Sequence, residues 1–290
     1  MAKFPSNAEL TESEFPYLIA EIGINHNGDL ELAKKLINIA KLSGFNAVKF
    51  QKRTIEVVYT SEELDKPRES IYGATNRDLK IGLEFSTNEY SEINEYCKSL
   101  EILWFASPWD VQSVDFLEQF DIPVYKIASA CLTDSNLLTR VKQTGKPVIL
   151  STGMSTMSQI DSAIKLLDPS KTSLLHCVST YPAENSDLNL EIINTLKESF
   201  KLPVGYSGHE KGVLPSVIAV ASYKASIIER HITLDRTMWG SDQAASLEPQ
   251  GMYKLIKYIN ESIECRGDKE KIVLDSELPV LQKLRRVSDF

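Results

Sequence analysis

The feature that most limits the fold of this chain is a repeat of three parts: a short apolar run, a polar side chain at its carboxyl end, and an amphipathic helix. Apolar runs that are buried on both faces are typical of parallel strands. The repeat occurs eight times, roughly once every thirty residues, which is typical of strands alternating with helices. We predict strands at 17–23, 47–51, 103–107, 124–129, 147–152, 173–178, 204–208 and 226–232.

Eight such units favour an α/β fold, a single-domain (β/α)8 TIM barrel, over an open doubly wound sheet. An open sheet that binds a dinucleotide carries a GxGxxG turn after its first strand, and the segment 21–28, EIGINHNG, lacks that spacing. We predict a polar lead-in at 1–16, the barrel at 17–265 and a helical tail at 266–290. The stretch 53–84 shows no sustained period and follows a strand directly, which indicates a lid over the site.

The composition excludes several classes of function. Lysines and arginines number 32 against 40 acidic residues, a net charge of −8, which argues against a nucleic-acid or anionic membrane surface. The four cysteines are far apart without a CxxC pair, as expected for reduced thiols. No apolar leader region and no run of about 18 apolar residues is present, so we expect a cytoplasmic protein.

The polar side chains at the strand ends are candidates for one site, because the catalytic groups of such barrels lie at the carboxyl ends of the strands. These candidates are Glu21, Lys49, Gln51, Ser107, Lys126, Ser129, Ser151, His176, Ser179, Tyr181, Ser207, His209, Glu229 and His231, with Asp242 in the following loop.

Lys49 and Lys126 are the most informative of these, since each interrupts an apolar strand. An unpaired buried ammonium costs several kcal/mol. One interpretation pairs the lysines with Glu21 or Glu229 inside the barrel. The other has both lysines and the serine hydroxyls of several strands binding a dianion, since fixed positive charges with hydroxyl donors suit phosphate or carboxylate.

Two histidines, His209 and His231, fall at the ends of consecutive strands. They are either hydrogen-bonded core residues or ligands of a divalent metal, with Glu229 nearby and Asp242 in the next loop. Two histidines are few for tight zinc binding, so Mn²⁺ or Mg²⁺ is the expected ion.

The other histidines and Cys131 have alternative explanations. His26 is a ligand or base, or it supports the turn into the first helix. His176 lies within an apolar strand, which favours a core role. Cys131 has no recognisable base beside it, which argues against a nucleophile.

The sequence resembles the N-acetylneuraminate (sialic acid) synthase family across about residues 17–249. The matching motifs are AEIGINHNG at 20–28, AVKFQ at 47–51, YKIAS at 125–129, ILSTGM at 149–154, LHC at 175–177 with Tyr181-Pro182, GYSGH at 205–209 and IERH at 228–231. The resemblance implies a barrel that condenses phosphoenolpyruvate with the open-chain aldehyde of a hexose derivative, usually an acetamido sugar such as N-acetylmannosamine. The products are a nine-carbon 2-keto-3-deoxy acid and phosphate, and a divalent metal, commonly Mn²⁺, is required.

The resemblance also implies roles for individual residues. Phosphoenolpyruvate would be held by Lys49, Lys126, Ser129, Ser151 and Ser207, the metal by His209 and His231, and the sugar would face Glu21, Gln51, Tyr181 and Asp242. We expect Ser107 and Ser179 to contribute to the same substrate pocket. Glu21 is a hypothetical base for the attacking water and Glu229 a hypothetical stabiliser of the cationic stage, so Glu21, Glu229 and Lys126 form the predicted catalytic set.

Three departures from the family pattern fall on the sugar side. Many members carry a C-terminal antifreeze-like domain that reaches across a dimer, and the sequence given ends at Phe290, where that domain would begin. We therefore expect a short form, with a homodimer or a monomer as the alternatives. Cys131 occupies the position of a common acidic residue, and Ser179 that of a common asparagine. The resemblance thus predicts the reaction type more closely than the sugar.

Three alternatives remain at the level of sequence. The first is a synthase of another 3-deoxy-ulosonic acid that uses a phosphorylated or non-acetylated sugar. The second is a metal-dependent hydrolase, which needs a site of three or four protein ligands. The third is a non-catalytic sugar-binding barrel, which has no need of two buried lysines.

Overall fold

All eight predicted strands are present and pair in parallel in the computed structural model, which describes residues 3–267 and 269–287. Their ends differ from the predicted ones by one or two residues at most. With a separate antiparallel pair, β3 and β4, the described residues form ten strands: β1 (Tyr17–Gly23), β2 (Ala47–Lys52), β3 (Pro67–Ser70), β4 (Gly73–Thr75), β5 (Leu103–Pro108), β6 (Tyr125–Ile127), β7 (Val148–Ser151), β8 (Thr172–His176), β9 (Val204–Gly208) and β10 (Ile227–His231). The ladder runs β5-β2-β1-β10-β9-β8-β7-β6, and β6 lies beside β5, so the barrel is nearly closed.

Helices connect successive barrel strands and pack outside them, which confirms the predicted (β/α)8 barrel. The helices are α1 (Asn7–Glu12), α2 (Leu30–Ser43), α3 (Ile55–Val58), α4 (Ser61–Leu64), α5 (Asn76–Gly82), α6 (Thr87–Ser99), α7 (Val111–Leu117), α8 (Ser135–Gln143), α9 (Met157–Leu166), α10 (Ile192–Phe200), α11 (Leu214–Ala221), α12 (Pro249–Glu264) and α13 (Leu278–Leu284). Side chains cap the starts of two of these helices: Asp29 accepts two backbone N–H groups at the start of α2, and Ser86 and Glu89 form a capping box on α6.

The strand register explains how distant residues reach one place. Strand β10, the first four residues of β2 and all of β1 except the half-buried Tyr17 are buried on both faces, as is typical of parallel strands. In the ladder Glu21 of β1 pairs with Lys49 on one side and with His231 on the other. Glu229 of β10 pairs with Ser207 of β9 in the same way. The carboxyl ends of these strands therefore bring acidic, basic and imidazole side chains into one layer.

The segment 53–84 is more ordered than its sequence indicates. It contains α3, α4, the β3–β4 hairpin and α5, each too short to produce a recognisable period. At its base, Lys52 and Arg53 lie 3.0 and 3.6 Å from the carboxylate of Glu84. At its tip the hydroxyl of Tyr72 donates to the carbonyl of Asn27, in the loop that follows β1. The segment is thus attached to the carboxyl-terminal face of the barrel at two points, as a lid requires.

Glycine is required where the lid meets the barrel. A Cβ atom on Gly28 would lie 2.2 Å from the Tyr72 hydroxyl, and one on Gly82 would lie 2.2 Å from the Tyr72 ring. Gly28 also has a φ of 72°, which disfavours other residues. The Tyr72 ring therefore occupies a slot between two backbone segments that no side chain could share.

The lead-in, predicted to be polar, has a folded part of its own. Ser6 and Glu9 form a capping box on α1, and Leu10 and Phe4 are buried, with the Phe4 ring 5.0 Å from that of Tyr17. In the tail the helix α13 is exposed except at the half-buried Leu281. The parts of the predicted lead-in and tail at 1–2, 268 and 288–290 lie outside the described residues. Within the described part of the chain, no helix combines the length and apolarity needed to cross a bilayer.

Candidate active site

Four charged side chains form a buried network at the centre of the carboxyl-terminal face. The ammonium of Lys49 lies 2.8 Å from Glu21 and 3.7 Å from Glu229, and that of Lys126 lies 3.2 Å from Glu229. All four side chains are at most 5% exposed. Both lysines are thus paired with carboxylates, one of the two arrangements that the sequence allowed. Such closely paired charges offset the desolvation that each one alone would suffer.

The four pKa values respond to burial and to the opposite charges. Burial would raise the pKa of Glu229, but Lys126 and Lys49 outweigh it and bring that pKa down to about 2. Burial raises the pKa of Glu21, with Lys49 opposing. Burial disfavours the charged form of Lys49, yet Glu21 and Glu229 together raise its pKa, whereas burial lowers the pKa of Lys126. Glu21 is therefore the carboxylate of this pair that accepts a proton more readily.

Neutral side chains complete the hydrogen bonds of this network. Lys49 donates to the hydroxyl of Ser107 at 3.1 Å, Gln51 donates to Glu21 at 2.7 Å, and Ser207 donates to Glu229 at 3.1 Å. Oε1 of Glu229 accepts hydrogen bonds from both Lys126 and Ser207, while Oε2 is buried without a hydrogen-bond partner among the described residues. This bare carboxylate oxygen is available to a reacting group.

A second set of polar atoms surrounds Gly153, which follows β7. A Cβ on Gly153 would lie 2.4 Å from the Ser179 hydroxyl, 2.8 Å from that of Ser129 and 2.9 Å from the Cys177 thiol. The N–H of Gly153 donates to Ser129 at 3.1 Å. The hydroxyls of Ser151 and Ser179 are buried and have no partner in the described chain. Unused hydroxyl donors of this kind suit the oxygen atoms of an anion.

The two strand-end histidines face each other across β9 and β10. The ring centroids of His209 and His231 are 5.6 Å apart, and the Tyr181 ring stacks on His209 at 4.1 Å. Nδ1 of His231 lies 3.7 Å from the Asp242 carboxylate. Nδ1 of His209 donates to the carbonyl of Val178 at 2.6 Å, which leaves Nε2 with its lone pair.

Both imidazoles are suited to bind a metal ion. Burial lowers the pKa of His209 to about 4 and also lowers the pKa of His231, so both rings are neutral at pH 7. Nδ1 of His231 is buried without a hydrogen bond to the described residues. Between residues 3 and 267 and from 269 to 287, no three His, Cys, Asp or Glu side chains are grouped to hold a metal. The two histidines thus fit an ion that keeps positions for water or substrate oxygens.

The surroundings of His26, His176 and Cys131 favour structural roles for these three residues. Nδ1 of His26 accepts the N–H of Gly28 at 3.1 Å, and its ring stacks on Phe85 at 4.1 Å, so it supports the turn after β1. His176 lies 2.7 Å from the carbonyl of Leu188 in the core. Burial raises the pKa of Cys131 to about 12, which agrees with the expectation that it is no nucleophile.

Replacing His26 with glutamine is expected to make the fold less sensitive to acid. Burial lowers the pKa of His26 to about 3, against about 6.5 in an unfolded chain, so only the unfolded state takes up this proton between those values. The folded state therefore loses stability as the pH falls from 6.5 towards 3, by about 2 kcal/mol at pH 5 for an isolated group. Urea unfolding at pH 7.5 and 5.0 should show a smaller loss in His26→Gln. An equal loss in the two proteins would contradict this origin.

Asn25, in the loop after β1, donates to the carbonyl of Ile232 at 2.9 Å and to Ser246 at 2.8 Å, which ties this loop to the loop after β10. Two parts of this region are not among the candidates predicted from the sequence. The Arg53 guanidinium lies 4.3 Å from the Trp109 ring and donates to Gln51. The second part is Gly153. A glycine directly after a predicted strand is a usable signal for Gly153, whereas the partners of Arg53 depend on tertiary contacts.

Comparison with known proteins gives consistent matches. The NeuB family model matches residues 36–271. The chain is 38% identical to human N-acetylneuraminate-9-phosphate synthase over 92% of its own length and 76% of that protein. It is 37% identical to the N,N'-diacetyllegionaminic acid synthase of Legionella pneumophila over 93% and 78% of the two chains. The solved N-acetylneuraminic acid synthetase of Leptospira borgpetersenii, in complex with citrate, is similar at a TM-score of 0.80 and 34% identity, with 95% and 94% of the chains covered.

Proposed function

This chain belongs to the NeuB family and is a phosphoenolpyruvate-dependent condensing enzyme, and we propose that its second substrate is the open-chain form of N-acetylmannosamine or a related hexosamine. The products would be a sialic-type nonulosonic acid and phosphate. We further propose that a divalent metal ion, Mn²⁺ before Mg²⁺, is held by His209 and His231. The supporting relatives differ in their products, since one is a 9-phosphate synthase and another makes a diacetamido acid.

The observation that carries this proposal is the set of unused donors beside the charge network. An ammonium has three N–H groups, and Lys126 uses one of them on Glu229. Ser151 and Ser179 present hydroxyls without partners, and Ser129 lies beside them at Gly153. A small substrate with a carboxylate and a phosphate would satisfy these donors. A barrel with no anionic ligand would leave them buried and unsatisfied, at about 1–3 kcal/mol each.

In the proposed reaction, C3 of phosphoenolpyruvate forms a bond to the aldehyde carbon of the sugar. Positive charge develops at C2, next to the bare oxygen of Glu229, which is held ionised by its two lysines. A bound divalent ion would act as a Lewis acid on the aldehyde oxygen. Water then attacks C2 and gives a proton to Glu21, whose carboxylate is oriented by Gln51 and Lys49. The tetrahedral intermediate expels phosphate, with the C2–O bond to phosphate breaking as the 2-keto group forms. The two protons of the water end on the former aldehyde oxygen, which becomes a hydroxyl, and on the phosphate.

The sugar would lie over the outer part of the site. Gln51 donates to Glu21, whereas Tyr181 stacks on His209 and Asp242 lies 3.7 Å from His231. Tyr181 is 45% exposed, so its free face is open to a ligand. The lid covers this end of the barrel through Tyr72. Closure over two bound reactants would keep them in reacting geometry and exclude bulk water.

Phosphate release from phosphoenolpyruvate, measured with Mn²⁺ and single aldoses, tests the proposal. The panel comprises N-acetylmannosamine, its 6-phosphate, mannose, a 2,4-diacetamido hexose and arabinose 5-phosphate. We expect release to depend on the aldose and to be fastest with an N-acetylated hexose. Release with arabinose 5-phosphate alone would favour another 3-deoxy-ulosonic acid synthase. Release without any aldose would indicate hydrolysis and contradict the condensation.

A further inference from the structure

A fully buried ion pair lies directly behind the two histidines. Arg230 and Glu210 both have 0% exposed side chains, and Nη1 of Arg230 is 2.8 Å from Oε1 of Glu210. Glu210 follows His209 in the chain, and Arg230 precedes His231. The pair therefore connects the residue next to one imidazole with the residue next to the other.

The pair is held from both strands and from the helix outside them. Nη2 of Arg230 donates to the backbone carbonyl of Glu210 at 2.7 Å, and Nη1 lies 2.8 Å from the carbonyl of Gly212 and 3.0 Å from the Ser216 hydroxyl on α11. The hydroxyl of Tyr206, on β9, donates to the second carboxylate oxygen of Glu210 at 2.7 Å. Both carboxylate oxygens thus have a partner, which fixes the orientation of Glu210 closely.

The neighbouring sequence makes room for this pair. Gly208 is the ladder partner of Arg230, and a Cβ on it would lie 2.7 Å from the Glu210 carboxylate and 2.9 Å from Cδ of Arg230. A side chain at 208 would therefore push the two charged groups apart.

Arg230 cannot contact the substrate. Successive side chains of a strand point to opposite faces, so Arg230 points away from the face that carries Glu229 and His231, and its partners lie towards α11. Buried ion pairs are also weak contributors to stability, because an apolar pair of similar volume is often as stable. The contribution expected of this pair is geometric: it fixes the ends of β9 and β10 relative to each other.

We propose that Arg230 and Glu210 are positioning residues that hold His209 and His231 at the separation needed to bind one divalent ion. This inference rests on the proposed function, in which the two histidines are the metal ligands. Outer partners that orient metal ligands typically change metal affinity by about 10–100-fold when they are replaced. Among the described residues, the partners of this pair are Tyr206, Gly212 and Ser216, and neither Lys49, Lys126 nor the hydroxyls around Gly153 are among them. The affinity for phosphoenolpyruvate should therefore be independent of the pair.

The test is direct binding of Mn²⁺ to the metal-free protein, measured by the loss of the free-ion electron paramagnetic resonance signal without substrates. The double variant Arg230→Met with Glu210→Leu removes both charges together, so that neither is left buried alone. We expect its Mn²⁺ affinity to fall at least tenfold, with an unchanged circular dichroism spectrum. Its affinity for phosphoenolpyruvate, measured by calorimetry without metal, should stay within about twofold of the wild type.

A matched pair of tyrosines separates positioning from general loss of core contacts. The hydroxyl of Tyr206 donates to Glu210 at 2.7 Å, and that of Tyr125 donates to Glu118 at 2.8 Å on the far side of the barrel. Each Tyr→Phe change removes one such hydrogen bond. We expect Tyr206→Phe to weaken Mn²⁺ binding measurably and Tyr125→Phe to leave it unchanged; equal effects would overturn the positioning role.

The histidines themselves distinguish failure of this inference from failure of the proposed metal site. If His209→Ala and His231→Ala lose Mn²⁺ binding while the Arg230/Glu210 double variant binds as the wild type does, the positioning role is wrong and the metal site stands. If the histidine variants bind Mn²⁺ as well as the wild type, or the wild type does not bind it, the proposed metal site is wrong and the inference falls with it.

Discussion

Replacing Lys126 with methionine is expected to lower kcat/KM for phosphoenolpyruvate by about 1,000-fold or more, the usual scale for loss of a buried charge that stabilises a transition state. Lys126 lies 3.2 Å from Glu229, on the strand beside β7, which Gly153 follows. We therefore expect it to serve both the proposed phosphate pocket and the ionisation of Glu229. Methionine keeps the volume of the side chain. The ion pair of Glu229 with Lys49, at 3.7 Å, remains in the variant and should preserve the fold.

Steady-state phosphate release and calorimetric binding of phosphoenolpyruvate measure this effect. Lys197→Met is the matched control, because Lys197 is a partly buried lysine on the opposite face of the barrel that donates to the carbonyls of Tyr223 and Lys224 at 2.7 and 2.8 Å. The control should keep its activity. Activity of Lys126→Met within tenfold of the wild type would contradict the anion pocket.

Replacing Glu21 with glutamine is expected to lower kcat by about 100-fold or more without raising KM for phosphoenolpyruvate. An amide keeps the shape of the carboxylate beside Gln51 but cannot accept a proton from water. It also removes a negative charge 2.8 Å from Lys49, which leaves that lysine freer to bind an anion. The two variants should therefore affect different kinetic constants: Lys126→Met weakens the binding of phosphoenolpyruvate, whereas Glu21→Gln lowers kcat and leaves that binding intact.

The measurement is the kcat and KM of Glu21→Gln across a range of phosphoenolpyruvate concentrations. Glu118→Gln is a suitable control, because Glu118 is a carboxylate paired with Tyr125 and Lys146 outside the barrel. A wild-type kcat in Glu21→Gln would show that another group takes the proton. A large rise in KM would show instead that Glu21 acts in binding.

The barrel can be predicted from the sequence because the pattern of apolar run, polar end and helix repeats regularly along the chain. Each strand is a short apolar run ended by a polar residue, and the same pattern places Glu21, Lys49 and His231 at one end of the barrel. That rule needs no contact information. It brings Glu21, Lys49 and His231 to one layer of the barrel, although it does not say which side chains touch.

Which charged side chains of the site form ion pairs cannot be predicted from the sequence, because this depends on the strand register and on the direction of each side chain. The sequence allows an ion pair of Lys49 with either Glu21 or Glu229, and in the structure Lys49 lies near both carboxylates. Arg230 stands between two predicted site residues, and its direction away from the cavity follows from the alternation of the strand. The lid was predicted from its position, but its short helices and hairpin were not, since elements of three to seven residues leave no period to detect.

The seat of Tyr72 between Gly28 and Gly82 has a consequence for how the lid could change over evolution. The attachment of the lid tip uses a backbone carbonyl and two positions without side chains, so it depends on very few residue identities. The base of the lid depends on one further residue, Glu84, which pairs with Lys52 and Arg53. Exposed lid positions away from these two attachments can therefore change while the lid still docks at the same points on the barrel.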